Sequence, residues 1–120
     1  MPRFVRARAR FVEAVTGNPL PQGKHRVELR DLDPIRDDHL GHGHFVGNGV
    51  VEVLFSLSDA SSWDSPGELM PDLYMVLYEG HREIYRTPVK LNVFIPLKEL
   101  FTSEGSPTVD LGVFVVPTSK

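Results

Sequence analysis

The sequence predicts an all-β protein, a single antiparallel β-sandwich of seven or eight strands over residues 1–120. Three observations predict it. Apolar and polar residues alternate at period two, the mark of strands with one dry face. Most of the ten prolines fall between apolar runs or at their ends, where a missing ladder donor costs least. The runs between them are short and rich in Val, Phe, Tyr and Leu.

The first run is 4–13, where Val5, Ala7, Ala9 and Phe11 alternate with Arg6, Arg8 and Arg10. A turn follows at Thr16-Gly17-Asn18-Pro19-Leu20-Pro21. In run 25–31, Val27 and Leu29 point inward and Arg26, Glu28 and Arg30 outward. An acidic loop spans 31–41. Gly47-Asn48-Gly49 is a hairpin turn between runs 43–46 and 50–57. The stretch from Ser58 to Met70 is polar and turn-rich, with room for one helical turn after Ser58 or Asp59. Run 73–78 is apolar on both faces. Glu79-Gly80 turns the chain into run 83–87. Run 89–95 alternates Val89, Leu91, Val93 and Ile95 with Lys90, Asn92 and Phe94. A helical turn fits Pro96 to Phe101, and the last run is 109–116.

Composition excludes several classes. With 41% apolar and 24% charged residues the chain is globular rather than disordered. It has no cysteine, hence no disulfide, thiolate metal site or thiol nucleophile. No apolar run approaches the ~20 residues of a membrane span, and no membrane partner is expected. The opening Met1-Pro2-Arg3-Phe4-Val5-Arg6 lacks the apolar stretch of a signal peptide, from which we expect a cytoplasmic protein. An excised mature secreted domain would open the same way. The net charge is −3 but uneven. Residues 1–30 hold seven Lys and Arg against two Glu, and the remainder holds six against fourteen acidic residues. A basic patch therefore sits on an acidic body.

Two stretches resemble the transthyretin-like (prealbumin-like) family. One is Phe11-Val12-Glu13-Ala14-Val15-Thr16-Gly17-Asn18-Pro19-Leu20-Pro21 followed by Val27-Glu28-Leu29. The other runs from Asp31-Leu32-Asp33-Pro34-Ile35-Arg36-Asp37-Asp38-His39-Leu40-Gly41 through Gly47-Asn48-Gly49-Val50-Val51-Glu52-Val53 to Met70-Pro71-Asp72-Leu73-Tyr74-Met75. The resemblance implies a transthyretin-like Greek-key β-sandwich, often one that pairs edge to edge into oligomers. One enzyme of that group, hydroxyisourate hydrolase, carries a C-terminal Tyr-Arg-Gly-Ser and a His near its N-terminus. Here the chain ends Val115-Val116-Pro117-Thr118-Ser119-Lys120 and the first histidine is His25. That activity is not carried over. No Ser lies in a nucleophile motif and no phosphate loop is present, so no enzymatic activity is expected.

The acidic loop is also similar to the calcium loop of C2 domains. Asp31, Asp33, Asp37 and Asp38 offer four carboxylates for calcium, with Asp72 as a supplement; the alternative is a solvated turn whose carboxylates cap local amides. His42 and His44 lie two apart and share a face on a strand, with His39 close behind. Zinc, nickel or copper suit such imidazoles, although a fourth ligand is not apparent, and the alternative is an edge strand exposing its histidines. Arg6, Arg8 and Arg10 project from one strand face, joined by Arg26 and Arg30 if the second strand lies beside the first. No aromatic residue interleaves with them, so an acidic protein surface is expected rather than nucleic acid. In run 73–78, Leu73, Met75 and Leu77 serve the core, and Tyr74, Val76 and Tyr78 face outward; similarly Val50 and Leu54 oppose Val51, Val53 and Phe55, and Phe114 and Val116 oppose Val113 and Val115. An apolar outer face needs a cover, either another subunit or residues 58–70 with Trp63 folded over the sheet.

The expected function is therefore non-enzymatic binding or assembly, as a homo-oligomer or with a protein partner. The contact residues would be Tyr74, Val76, Tyr78, Arg6, Arg8 and Arg10. The alternatives are a calcium-dependent C2-like module and a small-molecule carrier with its pocket at a subunit interface.

Overall fold

The computed structural model describes residues 4–21, 23–32, 38–56, 72–91, 93 and 107–117. The strands are β1 (Phe4–Glu13), β2 (His25–Asp31), β3 (Asp38–His42), β4 (His44–Gly47), β5 (Val50–Ser56), β6 (Leu73–Glu79), β7 (Arg82–Arg86) and β8 (Thr108–Val116). They form two four-stranded sheets, one in the order β4-β5-β1-β8 and the other β3-β2-β6-β7. No helix occurs among the described residues. The helical turns expected near Ser58 and at 96–101 lie outside them.

The core lies between the sheets and follows the alternation. Val5, Ala7, Ala9 and Phe11 of β1 meet Val27 and Leu29 of β2, Val51, Val53 and Phe55 of β5, and Leu73, Met75 and Leu77 of β6. Each presents one face of a pleated strand to the interior, where burial is worth ~25 cal/mol per Å² of apolar surface. Around this core, Phe11 packs its ring against Phe114 and Tyr85, at centroid distances of 5.8 and 6.5 Å.

Four features correct the expectations. First, the sheets are not wholly antiparallel, because β1 and β8 run parallel. A parallel pair needs a long crossover, and here six of the described strands lie between its members. Second, the acidic loop is shorter than expected: Asp38–His42 is strand β3, paired with β2. Third, the segment 89–91 is not a strand; it touches β6 through one isolated bridge, Leu73 with Lys90. Just before it, Thr87 clamps Met75: the Thr87 amide donates to the Met75 carbonyl, and the Met75 amide donates to Thr87 Oγ1, both at 2.9 Å. Fourth, β8 does not keep one alternation along its length. Val109 and Leu111 are buried, and so is Val116, whereas Val113 and Val115 are exposed. The pairing with β1 slips by one residue between Asp110 and Gly112, and Gly112 adopts φ 119°. A bulge at a left-handed glycine thus flips every following side chain.

The turns use the chemistry their residues permit. Asn48 and Gly49 form the two-residue β4–β5 loop at φ 55° and 76°, the left-handed pair that suits the twist of a hairpin. A side chain at Gly49 would strike the Phe11 carbonyl oxygen. Gly43 has another task. Between β3 in one sheet and β4 in the other lies this single residue, and its amide donates to the Val27 carbonyl at 2.7 Å. The strand changes sheets at a corner where a Cβ would strike Val51 and lie 3.1 Å from the Val27 Cβ.

Candidate functional site

The outer face of the β4-β5-β1-β8 sheet collects the arginine row. Strand β1 is flanked there by β5 and β8, so Arg26 and Arg30 on β2 do not join the row; they belong to the opposite sheet. Along β1, Arg6 pairs with Leu54 and Thr108, Arg8 with Glu52 and Asp110, and Arg10 with Val50 and Val113. Arg6 Nε lies 3.4 Å from the Glu52 carboxylate, and Arg10 Nε donates to the Asn48 carbonyl at 3.0 Å. The row is therefore interleaved with acid rather than uniformly basic. Large apolar side chains surround it on the same face. Leu54 is 52% exposed, Val113 62% and Val115 56%, and Phe4 and Val46 are exposed as well. The sequence marked runs 50–57 and 109–116 as apolar on both faces, but not that their outer residues share a face with the arginine row, because which strands flank β1 is a tertiary fact.

The outer face of the other sheet carries Tyr74, Val76 and Tyr78, opposite the core-facing Leu73, Met75 and Leu77, as the alternation implied. The expectation that all three lie open to a partner is corrected. Tyr74 and Val76 are 1% and 0% exposed within one chain. Trp63 and residues 58–70, offered as the cover, lie outside the described residues. Tyr78 is half-buried in a polar network. Arg30 donates to Glu28 Oε1 and to the Tyr78 hydroxyl, both at 2.9 Å, and Arg26 donates to Glu28 Oε2 at 2.7 Å. The Arg26 guanidinium sits 4.1 Å above the Tyr78 ring, and that of Arg86 sits 5.3 Å from the Tyr74 ring. Burial of Glu28 pushes its carboxyl pKa up, but the hydrogen bonds from Arg30 and Arg26 together outweigh it and hold the group below its ordinary 4.5. The same pairing with Glu28 raises the Arg30 pKa.

Of the calcium candidates, Asp33 and Asp37 lie outside the described residues, as does the side chain of Asp38. Asp31 and Asp72 do come together. The Asp72 amide donates to Asp31 Oδ1 at 3.3 Å, and the Leu32 amide donates to the Asp72 carbonyl at 2.8 Å. The histidines regroup. Gly43 sends His44 into the other sheet, where it pairs with Glu52, while His42 remains on β3 opposite Glu28. His42 and His44 therefore do not share a site, whereas the His39 and His42 rings lie 4.8 Å apart.

A cleft of about 340 Å³ opens at one end of the sandwich beside Leu20, Ile84, Val116, Glu79 and Arg82. No helix among the described residues is long and apolar enough to cross a membrane.

No family model and no curated protein matches the chain. Among solved structures, it is similar to part of the crystal structure of a 9R-lipoxygenase from Cyanothece PCC8801, with TM-score 0.58 and 20% identity. The match covers 96% of this chain and 17% of that one. At that identity the likeness speaks for the fold alone, and the fold that this chain shows is a two-sheet β-sandwich.

Proposed function

We propose that this protein is a non-enzymatic binding and assembly domain whose working surface is the outer face of the β4-β5-β1-β8 sheet, and that the occupant of that face is a second copy of the chain. The observation that carries the reading is the set of exposed Phe4, Val46, Leu54, Val113 and Val115 around an arginine row. A monomeric sandwich ordinarily makes its outer face polar. Both charge signs occur in this face, with Arg8 opposite Glu52 and Asp110 and Arg6 paired with Glu52. Such a face complements itself under a two-fold axis, as an isologous dimer requires. Four strands of four to ten residues, about 4.8 Å apart, cover roughly 500 Å² in projection, somewhat below the ~800 Å² that a standard interface covers on each partner. The turn at 16–21, and the return of β6 to lie beside β2 after β4 and β5 have run in the other sheet, support a transthyretin-like Greek-key path. Arg6, Arg8 and Arg10 remain contact residues in this reading; Tyr74 and Val76 do not.

Light scattering at tens of micromolar tests it. A mass of twice 13.5 kDa is expected for the wild type, and the monomer mass for a Leu54→Arg, Val113→Arg variant. Arg8→Glu weakens association by setting three acids in one row. A wild-type mass equal to the monomer overturns the proposal.

A second reading, calcium binding at the 31–41 loop, draws on the meeting of Asp31 and Asp72 where β2 ends and β6 begins.

A further inference from the structure

We propose that Glu28, His39 and His42 form a binding site for a transition-metal ion of the zinc, nickel or copper kind, on the outer face of the β2–β3 pair. Residues three apart on a regular strand point to opposite faces, so His39 and His42 should not meet. A bulge brings them together. The register runs Glu28 with His42, Leu29 with Gly41, then Arg30 with His39, so Leu40 is the extra residue on β3. Leu40 turns into the core and is buried, which anchors the bulge. Both exposed imidazoles then stand on one face beside Glu28.

One ligand atom from each of the three residues lies within 4.8 Å of the others. Metal–ligand bonds of about 2.0–2.2 Å place tetrahedral ligands roughly 3.2–3.6 Å apart. Rotation of two exposed imidazole rings closes that difference, and no backbone need move. The carboxylate is the fixed member of the set. Glu28 is 12% exposed and held from both sides by Arg26 and Arg30. Glu28 Oε1 accepts from Arg30 and, at 3.5 Å, from the Tyr78 hydroxyl, whereas Oε2, which accepts from Arg26, keeps acceptor capacity for the ion. Outer partners that orient a ligating carboxylate are the usual support of a metal site.

The same arginines decide which ion is taken. Two guanidinium charges beside one carboxylate oppose an ion held by charge alone. Calcium and magnesium also want six or more oxygens, which this trio does not supply. Zinc, nickel and copper gain from imidazole nitrogen itself, and affinity rises toward copper. The three protein ligands leave a coordination position for water or for a donor from a partner. The site lies on the sheet opposite the proposed dimer face, so its test does not depend on association.

The test is calorimetric titration of the tag-free full chain with zinc and with copper(II). One ion per chain is expected. His39→Ala and His42→Ala should each weaken binding at least ~10-fold, and His44→Ala should leave it unchanged. Circular dichroism establishes that each variant keeps its strands. Copper(II) electron paramagnetic resonance of the wild type supplies an independent readout, with two imidazole nitrogens expected on the ion. Absence of binding by the wild type, wild-type affinity in the His39→Ala or the His42→Ala variant, or a spectrum with fewer than two imidazole nitrogens would each overturn the proposal.

Discussion

Replacing Gly43 by alanine puts the corner between the two sheets to the test. The residue is not in the left-handed region, so alanine can adopt its backbone. That alone would favour the variant by about 0.4–1 kcal/mol through the unfolded chain. The new methyl, however, would strike Val51 Cγ1 and lie 3.1 Å from Val27 Cβ and 3.4 Å from Val53 Cγ2. All three neighbours are β-branched, stiff at χ1 and fully buried, so none swings aside cheaply. Overpacking of this kind costs about 1–3 kcal/mol, which leaves a net loss of roughly 1–2 kcal/mol. With a urea dependence near ~1.5 kcal/mol per molar, the unfolding midpoint should fall by about 1 M at unchanged slope. A double-mutant cycle identifies the cause. Val51→Ala alone leaves a cavity, but in the Gly43→Ala background the new methyl occupies part of it. The double variant should therefore be more stable than additivity predicts by at least ~0.5 kcal/mol. Wild-type stability in Gly43→Ala, or strict additivity in the cycle, would refute the close approach of these strands.

Two further outcomes concern charge. The Glu28 pKa is held below 4.5 in the folded state, so its stabilising contribution is complete above 4.5 and is lost as pH falls through the lower folded value. Wild type should be more stable than Glu28→Gln at neutral pH, and the gap should close as the pH is lowered past 4.5; a pH-independent gap in denaturant titrations contradicts the network. Calcium, if held by the 31–41 loop, should raise the melting temperature of the wild type and not that of Asp31→Asn at millimolar metal; equal shifts in both would remove the loop as the site.

Much of this was legible along the chain. The boundaries of β1 and β2, the Asn48-Gly49 hairpin and the core-facing Leu73, Met75 and Leu77 all follow from period-two patterning and local turn chemistry. These are properties of neighbouring residues, and neighbouring residues are what a sequence displays. The period of two also separated Tyr74 and Val76 from the core. Whether that second face was wet could not be read from it, because cover comes from distant parts of the chain.

The histidines and the arginines show the boundary most clearly. Spacing grouped His42 with His44, since two residues on an ordinary strand share a face. The corner at Gly43 separates them, and the bulge at Leu40 joins His42 to His39 instead. Adjacency in sequence grouped Arg26 and Arg30 with the β1 arginines, yet β1 pairs with β5 and β8 and leaves β2 to the opposite sheet. Alternation, turns and the all-β class belong to the sequence by itself, because each is decided within a few bonds. Sheet partners, bulges and the direction of β8 were decided only by tertiary structure, because they depend on which strands, far apart along the chain, compete to cover the same apolar faces.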